Sequence, residues 1–532
     1  MADTLHCSTE RVFPLSELIN QKTQGNPFFI TQFLTALHHD GYVTFDCDRG
    51  YWTCDLAQVK MLALTDDVVA FMAIQLQKLP YETQQLLALA ACVGNQFDLE
   101  TLAIISEQAA TEAANALWKA LQTGLILPTN QVYKFFQATE LLNPDEAVNP
   151  TYRFLHDRVQ QAAYSLIPDS QKQATHFKIG QRLQQNLSPQ ESSNRLFDIV
   201  NQLNFGVGLL DNRAEQQQLA QLNLLAGQRA KAATAYATAV KYLSTGRELL
   251  GSDGWQDAYA LTLAVCEVAA EAAYLATDFE QAEQFAEVVI QQAKTLQDQI
   301  NIYVTQIHSN IAQVKLLEAI QIATVKLALI DPSLHLPENP TPSDFEQLLA
   351  KTQANLANRP ILDLLHLPEM EDSNSLAAMR ILASVAPSAY FAFPQLLPLI
   401  AMTMVNLSIK YGNTSSSAFG YAMYGFILCG VVDDIESGYQ FGQLAIGLVD
   451  KFDARDVKAK ALLITGYFIK HWKDSLIDSL TWLPRAYQVG LESGDLGFAG
   501  YSAAFYCYSS IFSDKELEPL EREVAAYDEA IA

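Results

Sequence analysis

The chain has 532 residues, half of them hydrophobic and 17% charged, with 34 basic against 59 acidic side chains and a net charge of −25. That length exceeds one hydrophobic core and predicts roughly two to four units, and the composition excludes disorder as the main state. Such acidity repels phosphate backbones, which argues against a nucleic-acid partner, and its plain reading is solubility.

The first third mixes periodicities. Leu15-Ser16-Glu17-Leu18-Ile19 begins a short helix that Gly25-Asn26-Pro27 breaks. Phe28, Phe33, Leu34 and Leu37 resume helical spacing up to Gly41, with His38-His39-Asp40 as a capping cluster at that helix end. Tyr42 to Phe45 and Tyr51 to Thr53 alternate like strands around Asp48-Arg49-Gly50. Gly50 can take a positive φ, so a β-hairpin is expected. Thr65 is expected to cap a helix over 66–78, which Pro80 stops. Further helices are expected over 82–93, from Leu99 behind an Asp98 cap, and over 111–122. Leu125-Ile126-Leu127 and Val132-Tyr133-Lys134-Phe135 read as a small wing, and Tyr152 to His156 as a last strand feeding a helix over 157–166. That order describes a winged-helix domain. Its third helix offers Lys119 against Glu112, where a DNA reader would present several basic residues, so a protein-facing winged helix is expected.

Beyond Pro168 the chain reads as helical and Ala-rich. Ala230, Ala233, Ala237 and Val240 share one helix face, as do Ala272, Leu275 and Phe279. The run from Ala272 to Ala282 has tetratricopeptide character: a small residue near the end of one helix, an Asp turn, and Ala at the start of the next. Degenerate echoes occur at Lys315 to Ala319, at Asp433 to Gly438 and, weakly, at Lys473 to Leu476. Pro332, Pro337, Pro340 and Pro342 interrupt this array. From Ile381 to Ile409 there is no charge, a length that could span a bilayer. Pro387, Pro394 and Pro398 should divide it into a helix near 375–386, a turn, and a helix from about 395 to 410. Buried helices of a soluble array are apolar all round too, so no membrane span is expected.

Chemistry is sparse. Seven scattered cysteines show no C-x-x-C spacing, which argues against zinc, other metal sites and disulfides and suits a reducing, cytoplasmic compartment. No nucleophile elbow, H-E-x-x-H, kinase glycine-rich loop or H-R-D loop is present, and no G-x-x-x-x-G-K-[S/T] or even a Gly-Lys dipeptide. No catalytic residue is therefore expected in this chain, which is read as not an enzyme.

Thr23-Gln24-Gly25-Asn26-Pro27-Phe28-Phe29-Ile30-Thr31-Gln32-Phe33-Leu34 is similar to the lid entry of the STAND class of AAA-like signalling ATPases. Ala90 to Leu99 and Arg153 to Tyr164 closely resemble stretches of the multi-sensor serine/threonine and histidine kinases of cyanobacteria. The resemblance extends over nearly the whole chain and departs from that family by truncation at both ends. It implies a mainly α protein: a small lid and winged-helix domain followed by a TPR-like α-helical repeat superhelix. The expected divisions are 1–64 (end of the ATPase core, lid helices and hairpin), 65–167 (winged helix), 168–330 (first array), 331–374 (Pro-rich break) and 375–532 (second array).

Site roles also come from the resemblance. Gly25 and Pro27 match a G-x-P element whose proline lies on adenine, and Leu155-His156-Asp157 resembles a winged-helix motif in which His156 would donate to a diphosphate. Two structural readings stay open beside these: Pro27 as the first residue of a helix, and His156 as a part-buried strand end with Asp157 as N-cap. The function implied is a regulatory and interaction fragment of a signalling ATPase, taking ATP or ADP only with the missing ATPase core. Its partners would be a protein on the helical repeats and the missing kinase and ATPase portions. The alternatives are a freestanding TPR-like adaptor with no nucleotide role, or a lid subunit of an ATPase completed in trans.

Overall fold

A computed structural model describes residues 2–23, 25–48, 50–57, 59, 68–130, 149–357, 359–513 and 515–531, which are mostly helical with two small antiparallel sheets. They divide into two units, Met1–Leu222 and Asn223–Ala532.

In the first unit, helix α1 (Thr9–Thr23) starts earlier than the sequence suggests and runs through Pro14. Gly25 then takes φ +75°, a left-handed conformation that costs glycine little, and α2 (Pro27–His39) begins. Leu15, Ile19, Phe33, Leu37 and Val43 bury their side chains together, which joins these helices to the hairpin β1 (Val43–Asp46) and β2 (Tyr51–Cys54). The Thr65 cap and the Val132 to Phe135 wing strand lie outside the described residues. Helix α3 (Val68–Gln77) precedes α4 (Tyr81–Val93), β3 (Gln96–Asp98), α5 (Leu99–Ser106), α6 (Ala110–Gln122), β4 (Ile126–Pro128), β5 (Thr151–Phe154) and α7 (Asp157–Ser165). The sheet has the order β3-β5-β4, with β5 antiparallel to both neighbours. Asp98 caps α5 by accepting the Thr101 N–H at 2.8 Å. Two further helices complete the part of this unit that matters below, α8 (Asp169–Asn186) and α9 (Leu196–Phe205).

The second unit is a row of antiparallel helical hairpins of tetratricopeptide-like kind. Its main helices are α10 (Tyr236–Leu250), α11 (Tyr259–Leu275), α12 (Phe279–Gln292), α13 (Ile300–Ala312), α14 (Leu316–Ile330), α15 (Pro342–Leu356), α16 (Ser373–Ala392), α17 (Leu397–Tyr411), α18 (Ser415–Ile427), α19 (Ile435–Lys451), α20 (Arg455–Leu463), α21 (Trp482–Ser493), α22 (Leu496–Ser510) and α23 (Leu517–Ile531). One connector recurs. Thr234, Thr277, Val314, Asp433 and Gly494 all take positive φ between two helices. In the first three, the N–H of the following residue donates five residues back, as a Schellman turn requires. Five residues after each left-handed position stands a small buried residue: Ala239, Ala282, Ala319, Gly438 and Ala499. These let the second helix of each pair approach the first. The weak echo at Lys473 to Leu476 is not such a step, because Lys473 has φ −126° and Ser475 caps a short helix instead.

The uncharged stretch needs a correction. The helix expected to stop at Pro387 continues to Ala392 with Pro387 inside it. Its neighbours Ala386, Ser388 and Ala389 are fully buried or nearly so, and that packing offsets the missing backbone hydrogen bond. Ser373–Ala392 and Ser415–Val432 are long and apolar enough to cross a membrane, yet 67% and 72% of their apolar windows are buried inside the unit, as in core helices. α18 ends in a π-helical turn, Leu428–Val432, and a second π-helical turn, Ile464–Ile469, follows α20. All seven cysteines are free.

Candidate functional site

The start of α2 and the start of α7 meet in the first unit. Gly25 and Pro27 are exposed, and the chain turns there on a hydrogen bond from the Asn26 N–H to the Thr23 carbonyl at 3.0 Å. Two residues on, the buried Phe29 ring lies 5.0 Å from the His156 ring, centroid to centroid, at 59°. The sequence motifs therefore come together through a contact that neither contains alone.

His156, not Asp157, is the N-cap of α7. Its Nδ1 accepts the Arg158 N–H at 3.1 Å, so in the neutral ring Nε2 carries the proton and is a donor. Asp157 sits in the first turn, where a carboxylate suits the positive end of the helix dipole. The far side of α7 is held by a polar chain that the sequence did not reveal. Gln160 Nε2 donates to the Ala91 carbonyl at 3.1 Å. Gln202 Nε2 donates to the Cys92 carbonyl, which leaves its Oε1 to accept from His176 Nδ1 at 2.7 Å. His176 Nε2 then accepts the Tyr164 hydroxyl at 3.0 Å. Desolvation holds the His176 pKa below the usual histidine range, against the Gln202 hydrogen bond, with Lys172 lowering it further. Burial likewise pushes the Tyr164 hydroxyl up, so this chain is neutral. The helix that presents His156 is thus keyed to α4, α8 and α9.

A cavity of this unit, about 410 Å³, is lined by Asp98, Glu100, Glu191 and Asp198 against one guanidinium, Arg195. Four carboxylates there would repel a phosphate. Among the described residues no group of three His, Cys, Asp or Glu side chains is placed to hold a metal ion.

In the second unit the first helices of successive hairpins converge on a polar cluster. Arg380 Nη2 donates to Asn301 Oδ1 at 2.7 Å, and Asn301 Nδ2 donates to Glu267 Oε1 at 2.8 Å. Lys460 pairs with Asp495 at 3.4 Å, and the Tyr274 and His308 rings lie 6.4 Å apart. Desolvation pulls the His308 pKa down to about 4, aided by the charges of Lys460 and Arg380 and opposed by Asp495. An unfolded histidine takes a proton below about 6.5 while folded His308 refuses it, so stability falls as pH drops from there towards 4. Between pH 7 and pH 5 this one group should cost about 2 kcal/mol. Urea unfolding at both pH values should show His308→Gln losing less by about that amount; equal losses in the two proteins would refute it.

No protein-family model matches the chain. Hybrid signal transduction histidine kinase G of Dictyostelium discoideum is 25% identical over 568 residues, an overlap that covers 94% of this chain. The chain is similar to part of a signalling kinase. It spans only 16% of that relative's length. A STAND signal-transduction ATPase with a tetratricopeptide repeat sensor from Pyrococcus horikoshii matches 95% of this chain and 72% of its own, at 10% identity and a TM-score of 0.34.

Proposed function

We propose that the chain is the nucleotide-sensing lid, winged helix and partner-binding helical array of a STAND-type signalling ATPase linked to serine/threonine and histidine kinases. The observation that carries this reading is the 5.0 Å packing of Phe29 on His156, which sets the Gly25-Asn26-Pro27 turn beside the capped start of α7. The helix–strand–helix–helix–strand–strand order with β5 central supports a winged helix for α4 to β5. Pro27 is exposed and lacks an amide hydrogen, so its ring can lie on an adenine without wasting a donor. His156 stands at the start of α7 with Nδ1 accepting the Arg158 N–H, which fixes its ring at the positive end of that helix, where a phosphate is favoured.

A nucleotide held this way ties the lid to the winged helix, and its loss frees them. Coupling of that size is typically about 1–3 kcal/mol, enough to bias two arrangements of a switch. The phosphate grip and the metal would come from an ATPase core, since the chain has no P-loop lysine of its own. The chain alone should act as a cytoplasmic binding module without catalysis.

Titrating a fluorescent ADP analogue into the purified chain tests this. Weak binding is expected, with Kd about 0.1–1 mM, and His156→Ala should weaken it about fivefold or more. Submicromolar affinity would mean that the chain grips phosphates by itself and would overturn the fragment reading. Indifference to both His156→Ala and Pro27→Ala would remove the lid role and leave a helical adaptor.

A further inference from the structure

A cavity of about 240 Å³ lies in the second unit where one helical course changes pitch twice. The π-helical turn Ile464–Ile469 passes directly into a single 3-10 turn, Lys470–Trp472, so the chain widens and then narrows. Tyr467 and Phe468 of the first turn and His471 of the second line the cavity together. Leu476, Leu480 and Leu483 line it from the short helix Leu476–Leu480 and the start of α21. Gly466 lines it too, and a Cβ there would stand 2.6 Å from the Trp482 Cβ, so the turn lies directly on α21. Tyr467 stacks on Phe505, with centroids 4.3 Å apart and planes 7° from parallel, which fixes that wall. Such π-helical turns are rare and recur at functional sites.

The lining selects the ligand. A cavity of about 150 Å³ already holds a benzene ring, so this one admits one ring or two fused rings. Sites for drug-sized molecules run to roughly 300–1,000 Å³, more than is offered here. Among the described residues no carboxylate, ammonium or guanidinium lines the cavity. The cations flanking His471 are engaged elsewhere, Lys470 with Asp474 and Lys473 with Glu436 at 2.6 Å. A charged ligand would therefore lose hydration and meet no counter-charge. Ser479, also in the lining, donates its hydroxyl to the Ser475 carbonyl at 3.2 Å. His471 differs. Its Nδ1 donates to the Tyr467 carbonyl at 2.8 Å, so in the neutral ring Nε2 is an acceptor. His471 is exposed, so the cavity is reached from solvent beside that acceptor.

We infer that this cavity binds a small neutral aromatic molecule of one or two rings that carries one N–H or O–H donor. Its rings lie against Tyr467, Phe468 and the leucines, and its donor bonds His471 Nε2. The inference does not rest on the nucleotide reading, so either can fail alone.

Isothermal titration calorimetry of indole into the purified full chain tests it. Indole should bind with Kd about 0.1 mM, the range expected of so small a ligand. 1-Methylindole, which lacks the N–H, should bind about fivefold more weakly. His471→Ala should weaken indole about fivefold and 1-methylindole less than about twofold, because only indole has a hydrogen bond to lose. His471 is exposed, so this variant should keep the fold. Ser509→Phe, placed in the lining to fill the cavity, should weaken both ligands by about tenfold or more. No binding of indole at millimolar concentration would overturn the site, as would indole binding that neither variant changes. Equal affinity for indole and 1-methylindole would remove the donor from the ligand and with it the part given to His471. Benzoate that binds as tightly as indole would sink the neutral class. N-acetyltryptophanamide that binds more tightly than indole would replace the free molecule with a partner's side chain.

Discussion

Replacing Gly438 by valine should cost the second unit about 3 kcal/mol, the upper range for overpacking a tight core. Gly438 opens α19, five residues after the left-handed Asp433, at the position where other hairpins carry Ala282 or Ala319. A Cβ there would press into Cys429 Sγ and stand 2.7 Å from the Gly425 carbonyl oxygen and 3.2 Å from the Cys429 nitrogen. Two of those three neighbours are backbone and cannot rotate away. Helix α18 would have to withdraw along its contact with α19, where Phe441, Leu444 and Tyr424 are buried. Gly500 supplies the contrast. It lies in α22 with nothing within 4 Å of its would-be Cβ, so Gly500→Ala should stabilise by up to about 1 kcal/mol through helix propensity. Denaturant unfolding of the two variants should move in opposite directions. A Gly438→Val protein as stable as wild type would mean that α18 and α19 do not approach as described.

Those glycines also show how far the sequence could be read. The small residues at 282, 319 and 438 stand out in the sequence, because a second helix needs them to come close. Their equivalents Ala239 and Ala499 do not, since alanine in an Ala-rich helix carries no mark. The left-handed residues that define each connector are Thr, Thr, Val and Asp in four of five cases. Tertiary packing imposes that conformation on residues that rarely choose it, so no turn signature precedes it. The π-helical turns at Leu428–Val432 and Ile464–Ile469 were equally silent, because an extra residue in a helix leaves the apolar pattern almost intact.

The candidate nucleotide site divides in the same way. The Gly25 turn, the start of α2 at Pro27 and the strand that delivers His156 follow from local chemistry: a residue free to take positive φ, a ring suited to the first helical position, and alternation before a capped helix. That His156 caps α7 itself was open, since both His and Asp can accept from a helix N–H. The contact of Phe29 with His156 joins residues far apart in the chain, and the Tyr164–His176–Gln202 relay joins three helices. Periodicity carries no information about such long-range pairs. Pro387 was misread for a related reason: proline breaks an isolated helix, but α16 is buried on so many sides that packing holds it together.

Asn413→Leu should destabilise the second unit by about 2–3 kcal/mol, because it removes two buried side-chain hydrogen bonds at once. Asn413 is fully buried between α17 and α18. Its Nδ2 donates to the Leu364 carbonyl at 2.7 Å, and its Oδ1 accepts the Tyr421 hydroxyl at 3.1 Å. Its own N–H donates to the Pro368 carbonyl at 2.7 Å, and its carbonyl accepts the Met370 N–H at 2.8 Å. The side chain is therefore the polar fastening between the segment that follows the Pro-rich break and the hairpins beyond it. Burial keeps the Tyr421 proton on, so that hydroxyl donates to Asn413 with Ser408 as its second partner. Leucine keeps the volume but offers neither a donor nor an acceptor, so the Leu364 carbonyl keeps only the Leu367 N–H and the Tyr421 hydroxyl keeps only Ser408. The double variant Asn413→Leu with Tyr421→Phe should lose less stability than the two single variants added together, since the Tyr421–Asn413 bond can be removed only once. Tyr421→Phe in the wild-type background should destabilise by about 1 kcal/mol. This non-additivity, measured by urea unfolding, is what a buried hydrogen-bonded pair requires. Strict additivity would place Tyr421 and Asn413 out of contact.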